Sequence, residues 1–291
     1  QNSSQEAILA TIKQWYNGYR FTKTQACVYN PFSTLKYIKT GEMKSYWYST
    51  GTPSFLIEQI QKYPKNLLPL GGIEVSDNRL SGGSKIDYID VATLMFQTGY
   101  LTITDYSELE RAYRLDFPNR EVREAFLDSL LNELTDIDSL SVVRSAAQLR
   151  AAFEALDIAG LIKTLNIHFA KIAYHAHREQ TQRLSEGFYQ AVFFTFLERS
   201  GIETKVEEAT SRGRIDMVVQ LSNHVFIFEL KVDQTAEIAL DQVHDQGYKE
   251  RYLEAGREIV VVGINFSTQS RDINEWKAGI YAPEGTLIRE L

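Results

Sequence analysis

Asp216, Glu229 and Lys231 are the residues of this 291-residue chain whose types and spacing most clearly permit chemistry. Two apolar runs, residues 214–221 and 224–232, are separated by Ser222-Asn223. If those two residues form the turn, Leu221 pairs with His224 and Asp216 falls opposite Glu229. Opposed side chains share a face with Cβ atoms about 5 Å apart. Lys231, two residues beyond Glu229, lies on that face too. A turn one residue longer would scatter the three. Both runs are apolar on both faces, as buried central strands are. Two carboxylates so close repel, and one stays protonated unless a cation lies between them. A hard divalent ion, Mg2+ or Mn2+, satisfies both, with the main-chain oxygen of Leu230 as a further ligand. Lys231 then stands where it can orient a water and stabilise developing negative charge. The same residues also make a plain ion pair at a sheet end, and the hairpin alone does not choose between the two readings.

Further residues join this set only through their positions in the surrounding elements. Glu186 opens a helix expected to be capped by Ser185, to run to Arg199 and to stop at Gly201; alone it is an acid favoured by the helix dipole. Residues 205–209 read as a strand. A helix is expected over residues 235–254, ended by Gly256, with a strand over 258–266 behind it. Strand, helix and strand make a crossover unit with parallel strands. Gln242 and Gln246 lie i, i+4 on that helix with Tyr248 beyond; alone they make a solvated face. Arg212 and Arg214 precede Asp216 and could meet phosphates, though as single residues they are surface charges.

The first half is read as largely helical, with helices over 5–12, after Asn30-Pro31, after Thr52-Pro53 and over 89–98 and 120–134, and a small hairpin of 100–104 with 113–117. Helices over 146–156 and 159–177 lead into the second half. Short polar residues near 136–141 set the boundary, giving domains 1–138 and 139–291. The fold class is mixed α+β: a helical N-terminal part, then a mixed sheet flanked by helices. His168 and His175 share a helix face, with His177 near, and read as ordinary helix residues rather than zinc ligands. Trp15-Tyr16, Tyr46-Trp47-Tyr48 and Tyr100 could stack bases but are expected to fill a core. Cys27, beside Val28 and Tyr29, reads as a buried apolar residue.

The order Glu186, GRID (213–216), FELK (228–231), Gln242 and Tyr248 resembles the PD-(D/E)XK nuclease superfamily. The stretch EGFYQAVFF, GRIDMVV, FIFELK, ALDQV, GY and INFS is similar over about 184–276 to a module at the C-terminus of bacterial AAA-ATPase-like proteins. WYNGYRF, VYNPFS, YWYSTGTPSFLI, FQTGYLTI and FPNREVR resemble the later part of the ATPase-like region of those proteins. The resemblance implies a restriction-endonuclease-like core in which Asp216 and Glu229 hold Mg2+, Lys231 serves the water and Glu186 completes the acidic cluster. Gln242 and Tyr248 would position substrate or water. Ile215 stands where the motif has Pro. The P-loop that begins the ATPase-like family has no counterpart; Gly82-Gly83-Ser84-Lys85 has the wrong order and reads as a turn. With Gln1 in place of Met, this implies a chain that has lost its nucleotide-binding part and hydrolyses no nucleotide.

The implied function is Mg2+-dependent hydrolysis of DNA, less readily RNA. The alternative is a non-catalytic regulatory or binding module that uses the nuclease fold beside an ATPase. The charge sharpens this choice. The net charge is −7, and residues 181–291 carry 12 Lys and Arg against 18 Asp and Glu. Proteins that bind nucleic acid are more often basic. One Cys suits a reducing cytoplasm. No apolar run reaches the roughly 18 residues of a membrane span.

Overall fold

The computed structural model describes residues 2–47, 72–80, 91–134, 139–170, 186–210 and 213–291. The chain divides into two compact units, Gln1–Ser129 and Leu130–Leu291. The expected helix after Pro53, the Gly82-Gly83-Ser84-Lys85 turn, Tyr48, His175, His177, Ser185, Arg212 and much of the 136–141 boundary lie outside the described residues. Among the described residues no helix is long and apolar enough to cross a membrane.

The first unit holds helices α1 (Asn2–Tyr16), α2 (Pro31–Thr40), α3 (Asp77–Leu80) and α4 (Val91–Gln97), and the start of α5 (Arg120–Leu134). Strands β1 (Ile73–Ser76), β2 (Thr102–Ser107) and β3 (Ala112–Asp116) form an antiparallel sheet in the order β1-β3-β2. The β2–β3 hairpin was expected; four-residue β1 carries too little pattern to be read from sequence.

Several of the sequence runs quoted above for this unit meet in its interior for physical reasons. Asn30 caps α2 by accepting from the Ser33 N–H, and Pro31 supplies a preset first turn. The Ser33 hydroxyl donates to Glu121 Oε1 at 2.8 Å, as does the Trp47 N–H. Gly18 has φ +112, and a Cβ there would lie 1.8 Å from the Pro118 carbonyl oxygen, so WYNGYRF can pack on FPNREVR only with glycine. Of the aromatics expected to fill a core, Tyr16 and Tyr100 are buried, Trp15, Tyr46 and Trp47 are half-buried, and Trp47 meets Tyr100 edge-on at 5.1 Å. Phe21, Tyr29 and Phe32 are exposed. Cys27 departs from expectation, being exposed. Tyr19 and Val28 pair only by an isolated bridge, and between them Arg20 is buried while residues 21–27 are exposed.

The second unit contains α6 (Ser139–Ala155), α7 (Ile158–Phe169), α8 (Glu186–Arg199) and a six-stranded sheet in simple order β4-β5-β6-β7-β8-β9. The strands are β4 (Thr204–Ala209), β5 (Arg214–Gln220), β6 (His224–Val232), β7 (Glu258–Ser267), β8 (Asp272–Tyr281) and β9 (Leu287–Glu290). All neighbours are antiparallel except β6 and β7. Between those two the chain runs through α9 (Ala236–Asp245), whose Ala236, Ala239 and Val243 are fully buried. The single helix expected over 235–254 is broken. Gly247 takes φ +61, the α-helix ends at Gln246, and a 3-10 helix, Tyr248–Ala255, follows. His168 is buried, with Nε2 2.9 Å from the Ser145 hydroxyl.

The core of this unit sits on β5, β6 and β7. Met217 to Val219, Val225 to Phe228 and Ile259 to Val262 are completely inaccessible to solvent. Phe193 on α8 meets Phe228 edge-on at 5.4 Å, and Phe153 on α6 meets Phe226 at 4.8 Å, so these two helices cover the Phe226–Phe228 face. The other face carries Val225 and Ile227 in a cluster with Val243 and Tyr248. Glu229 and Lys231 continue that second face by the two-residue strand period.

Candidate metal and phosphoryl site

The hairpin between β5 and β6 sets the site. The Leu221 N–H donates to the His224 carbonyl at 2.9 Å, so Ser222 and Asn223 form the turn. The register then runs Gln220↔Val225, Val219↔Phe226, Val218↔Ile227 and Met217↔Phe228. The ladder stops there. The next main-chain donor on β6 that faces β5, the Leu230 N–H, goes instead to Asp216 Oδ2 at 2.8 Å. A carboxylate thus replaces a main-chain acceptor where the strands part.

Asp216, Glu229 and Lys231 are 8%, 0% and 7% exposed, so this is a buried charge cluster. Lys231 Nζ donates to Glu229 Oε1 and to the Leu230 carbonyl, both at 3.1 Å. Glu229 Oε2 is buried and has no hydrogen-bond partner. Burial, then the Asp216 charge, push the Glu229 carboxyl up to about 8, against the pull of Lys231; Glu186 adds to the upward push. Burial would lower Lys231, but the charges of Glu229 and Glu186 outweigh it and raise its pKa. The acids act on both groups in the same direction, whereas burial raises the carboxyl and opposes the rise of the ammonium. Glu186, half-buried at the start of α8, is therefore within electrostatic reach of the pair.

The remaining expected residues are placed differently. Tyr248 is 1% exposed, and its hydroxyl hydrogen-bonds the Gln242 side chain and the Arg214 backbone. It is a buried strut between α9 and the start of β5. Gln246 is the C-cap of α9. The Arg214 side chain is exposed, whereas Arg212 lies outside the described residues. A residue that sequence reasoning missed is Gln190, whose Nε2 donates to the Asp216 carbonyl at 2.8 Å.

Gly213 explains how Tyr248 fits. A Cβ at Gly213 would lie 2.7 Å from the Tyr248 hydroxyl oxygen. That ring is locked in the core, so it cannot swing aside. Gly213→Ala is expected to lose about 1–3 kcal/mol of stability by overpacking. Denaturant unfolding measures this, and Tyr248→Phe in the same chain, by removing the oxygen, should recover part of the loss.

Among the described residues no group of three or more His, Cys, Asp and Glu gathers as a ready-made metal cluster. The donors that do converge are nonetheless those a hard cation takes: the two carboxylates and the Leu230 carbonyl. The orphaned Glu229 Oε2 lacks a counter-group that such a cation would supply.

Residues 184–276 match the family model described as the PD-(D/E)XK nuclease superfamily. A curated relative from Azotobacter chroococcum mcd 1, described as an uncharacterized protein in the vnfD 5' region, is 36% identical over 266 residues. The match takes in 90% of this chain and 51% of that protein, so the chain spans about half the length of the relative.

Proposed function

We propose that the PD-(D/E)XK nuclease superfamily domain at residues 184–276 hydrolyses phosphodiester bonds of nucleic acid, DNA ahead of RNA, with Mg2+ or Mn2+ as its cofactor. The observation that carries this reading is the buried trio of Asp216, Glu229 and Lys231 at the point where the hairpin ladder opens. An ordinary structural ion pair needs one acid. Here three acids press on one lysine and leave Glu229 Oε2 without a partner.

Asp216, Glu229 and the Leu230 carbonyl would hold the cation, and Glu186 would add negative charge to the set. When bound, the cation supplies Lewis acidity and charge neutralisation for the phosphate oxygens. In the reaction water attacks phosphorus, one P–O ester bond breaks, and a phosphomonoester and an alcohol result. Lys231 is held at two points, by Glu229 Oε1 and the Leu230 carbonyl, so its remaining proton can be aimed at developing negative charge. Buried in low dielectric, that charge acts more strongly than it would in water. Gln242 and Tyr248 would position this edge of the site through the Arg214 backbone, and Arg212 and Arg214 would meet the flanking phosphates. For the first half, the segments named above support an ATPase-like origin and an ATPase neighbour or partner.

The test is cleavage of single- and double-stranded DNA and RNA in Mg2+ or Mn2+. Activity lost in Asp216→Ala is expected. Activity that survives Asp216→Ala would contradict the site. Binding of nucleic acid without cleavage would favour the non-catalytic module.

A further inference from the structure

We propose that Gln190 is a positioning residue for the acid cluster: it fixes the Asp216 main chain where the hairpin's own ladder has ended, and it links that acid to Glu186 on the same helix. This rests on the reading of Asp216 and Glu229 as cation ligands, and it gives a role to a residue that the resemblance quotes within EGFYQAVFF but assigns none.

The argument begins with what holds Asp216. Pairing of β5 with β6 ends one residue before it, at Met217↔Phe228. Beyond that point β5 and β6 are joined by a side chain, while β5 stays paired with β4 on its other edge through Val206↔Met217 and Glu208↔Ile215. The Asp216 carboxylate takes the Leu230 N–H, and the Asp216 carbonyl takes Gln190 Nε2, each at 2.8 Å. Gln190 is 3% exposed, in a helix buried at every residue from Gly187 to Glu198. It is the one amide side chain in that helix, EGFYQAVFFTFLER. A buried amide costs free energy unless it is hydrogen-bonded, so its presence in this helix calls for the bond it makes.

Glu186 lies exactly one helical step of four before Gln190, hence on the same face of α8. Its charge acts on both Glu229 and Lys231. One turn of α8 therefore grips Asp216 by its backbone and brings Glu186 to the other two. Any slide or rotation of α8 changes the spacing of all three acids together. Residues that support metal ligands in this way typically contribute about 10–100-fold to metal affinity.

Gln190→Met keeps the length and bulk of the side chain and removes the amide, including the Nε2 donor that holds the Asp216 carbonyl. Mn2+ affinity by calorimetry is expected to fall about 10–100-fold. The cleavage rate constant should fall with it while KM for the oligonucleotide stays unchanged. Leu230 amide hydrogen exchange should quicken as Asp216 loosens. Thr195→Val is the control. Its hydroxyl bonds only its own helix, to the Ala191 carbonyl at 2.7 Å, so Mn2+ affinity should stay at the wild-type value. If Gln190→Met does not fold, Gln190→Glu keeps the polar shape but sets an acceptor against the carbonyl, and the same losses are expected. Wild-type Mn2+ affinity and Leu230 exchange in whichever variant folds would overturn the proposal. Should the wild-type chain bind no Mn2+, the cation reading fails, and the Leu230 exchange rate alone still decides whether Gln190 positions Asp216.

Discussion

Glu229→Gln is expected to make the cation-free protein more stable at neutral and alkaline pH while abolishing divalent-cation binding. The two effects have the same cause. Burial and the Asp216 charge raise the Glu229 carboxyl from an ordinary 4.5 to about 8. A raised carboxyl means that the folded state holds its proton more tightly than the unfolded chain does. Stability from this group is complete below about 4.5 and is lost as pH rises toward about 8. The slope over that window is at most about 1.4 kcal/mol per pH unit, the value for one proton. Glutamine has the shape of the protonated acid and no proton to lose, so the variant lacks this slope. Its Oε1 still accepts from Lys231. Thermal unfolding of both proteins at several pH values, without cations, gives the difference directly. The curves should converge near pH 4.5 and separate above it, with Glu229→Gln the more stable. Equal pH dependence of the two proteins would mean that Glu229 is not a strained, buried acid. Added Mg2+ or Mn2+ should stabilise the wild-type chain and leave the variant unchanged.

Lys231→Met should have the opposite balance, small in stability and large in reaction rate. Removing one partner of a buried ion pair can cost about 3–5 kcal/mol, because a charge is stranded. Here Glu229 has an escape: with its pKa near 8, it is already largely protonated at pH 7, so losing Lys231 strands little charge. The stability loss at pH 7 should therefore be nearer about 1–2 kcal/mol, well short of that range. Cleavage has no such escape. Lys231 is the ammonium placed among the acids, held by Glu229 Oε1 and the Leu230 carbonyl. Loss of a preorganised donor of this kind lowers the rate on the order of 10²–10³-fold. Unfolding by denaturant and a cleavage time course measure the two quantities. A rate within twofold of wild type would remove Lys231 from the chemistry.

The site hairpin could be read from sequence because three independent signals coincide there. Ser222-Asn223 marks a turn, both flanking runs are rich in branched and aromatic residues, and the acids fall in matching positions. Register follows from turn length, and Leu221 does pair with His224. Strands β8 and β9 escaped notice for the converse reason. DINEWKAGIY changes from a mixed pattern to a buried run at Ala278, and LIRE is exposed throughout, so neither shows a two-residue alternation. The break after α9 turns on Gly247 alone, set between periodic residues on both sides, and a helical pattern tolerates one glycine. Gln190 was missed because its helix is buried all round and carries no amphipathic period to mark a polar outlier. Its signal was its position, four residues after Glu186, which gains meaning only when Asp216 is known to lie across from it.

The central claim is that Asp216 and Glu229 share a divalent cation, and proton release on Mn2+ binding tests it most directly. At pH 7 Glu229 is largely protonated, so the cation must displace that proton. Calorimetric titration in buffers of different ionisation enthalpy counts it. Close to one proton per Mn2+ is expected at pH 7, falling toward none above about 8, with affinity rising over the same range. Asp216→Ala and Glu229→Gln should each eliminate the binding. Mn2+ binding that releases no proton at pH 7, or that persists in both variants, would contradict the account.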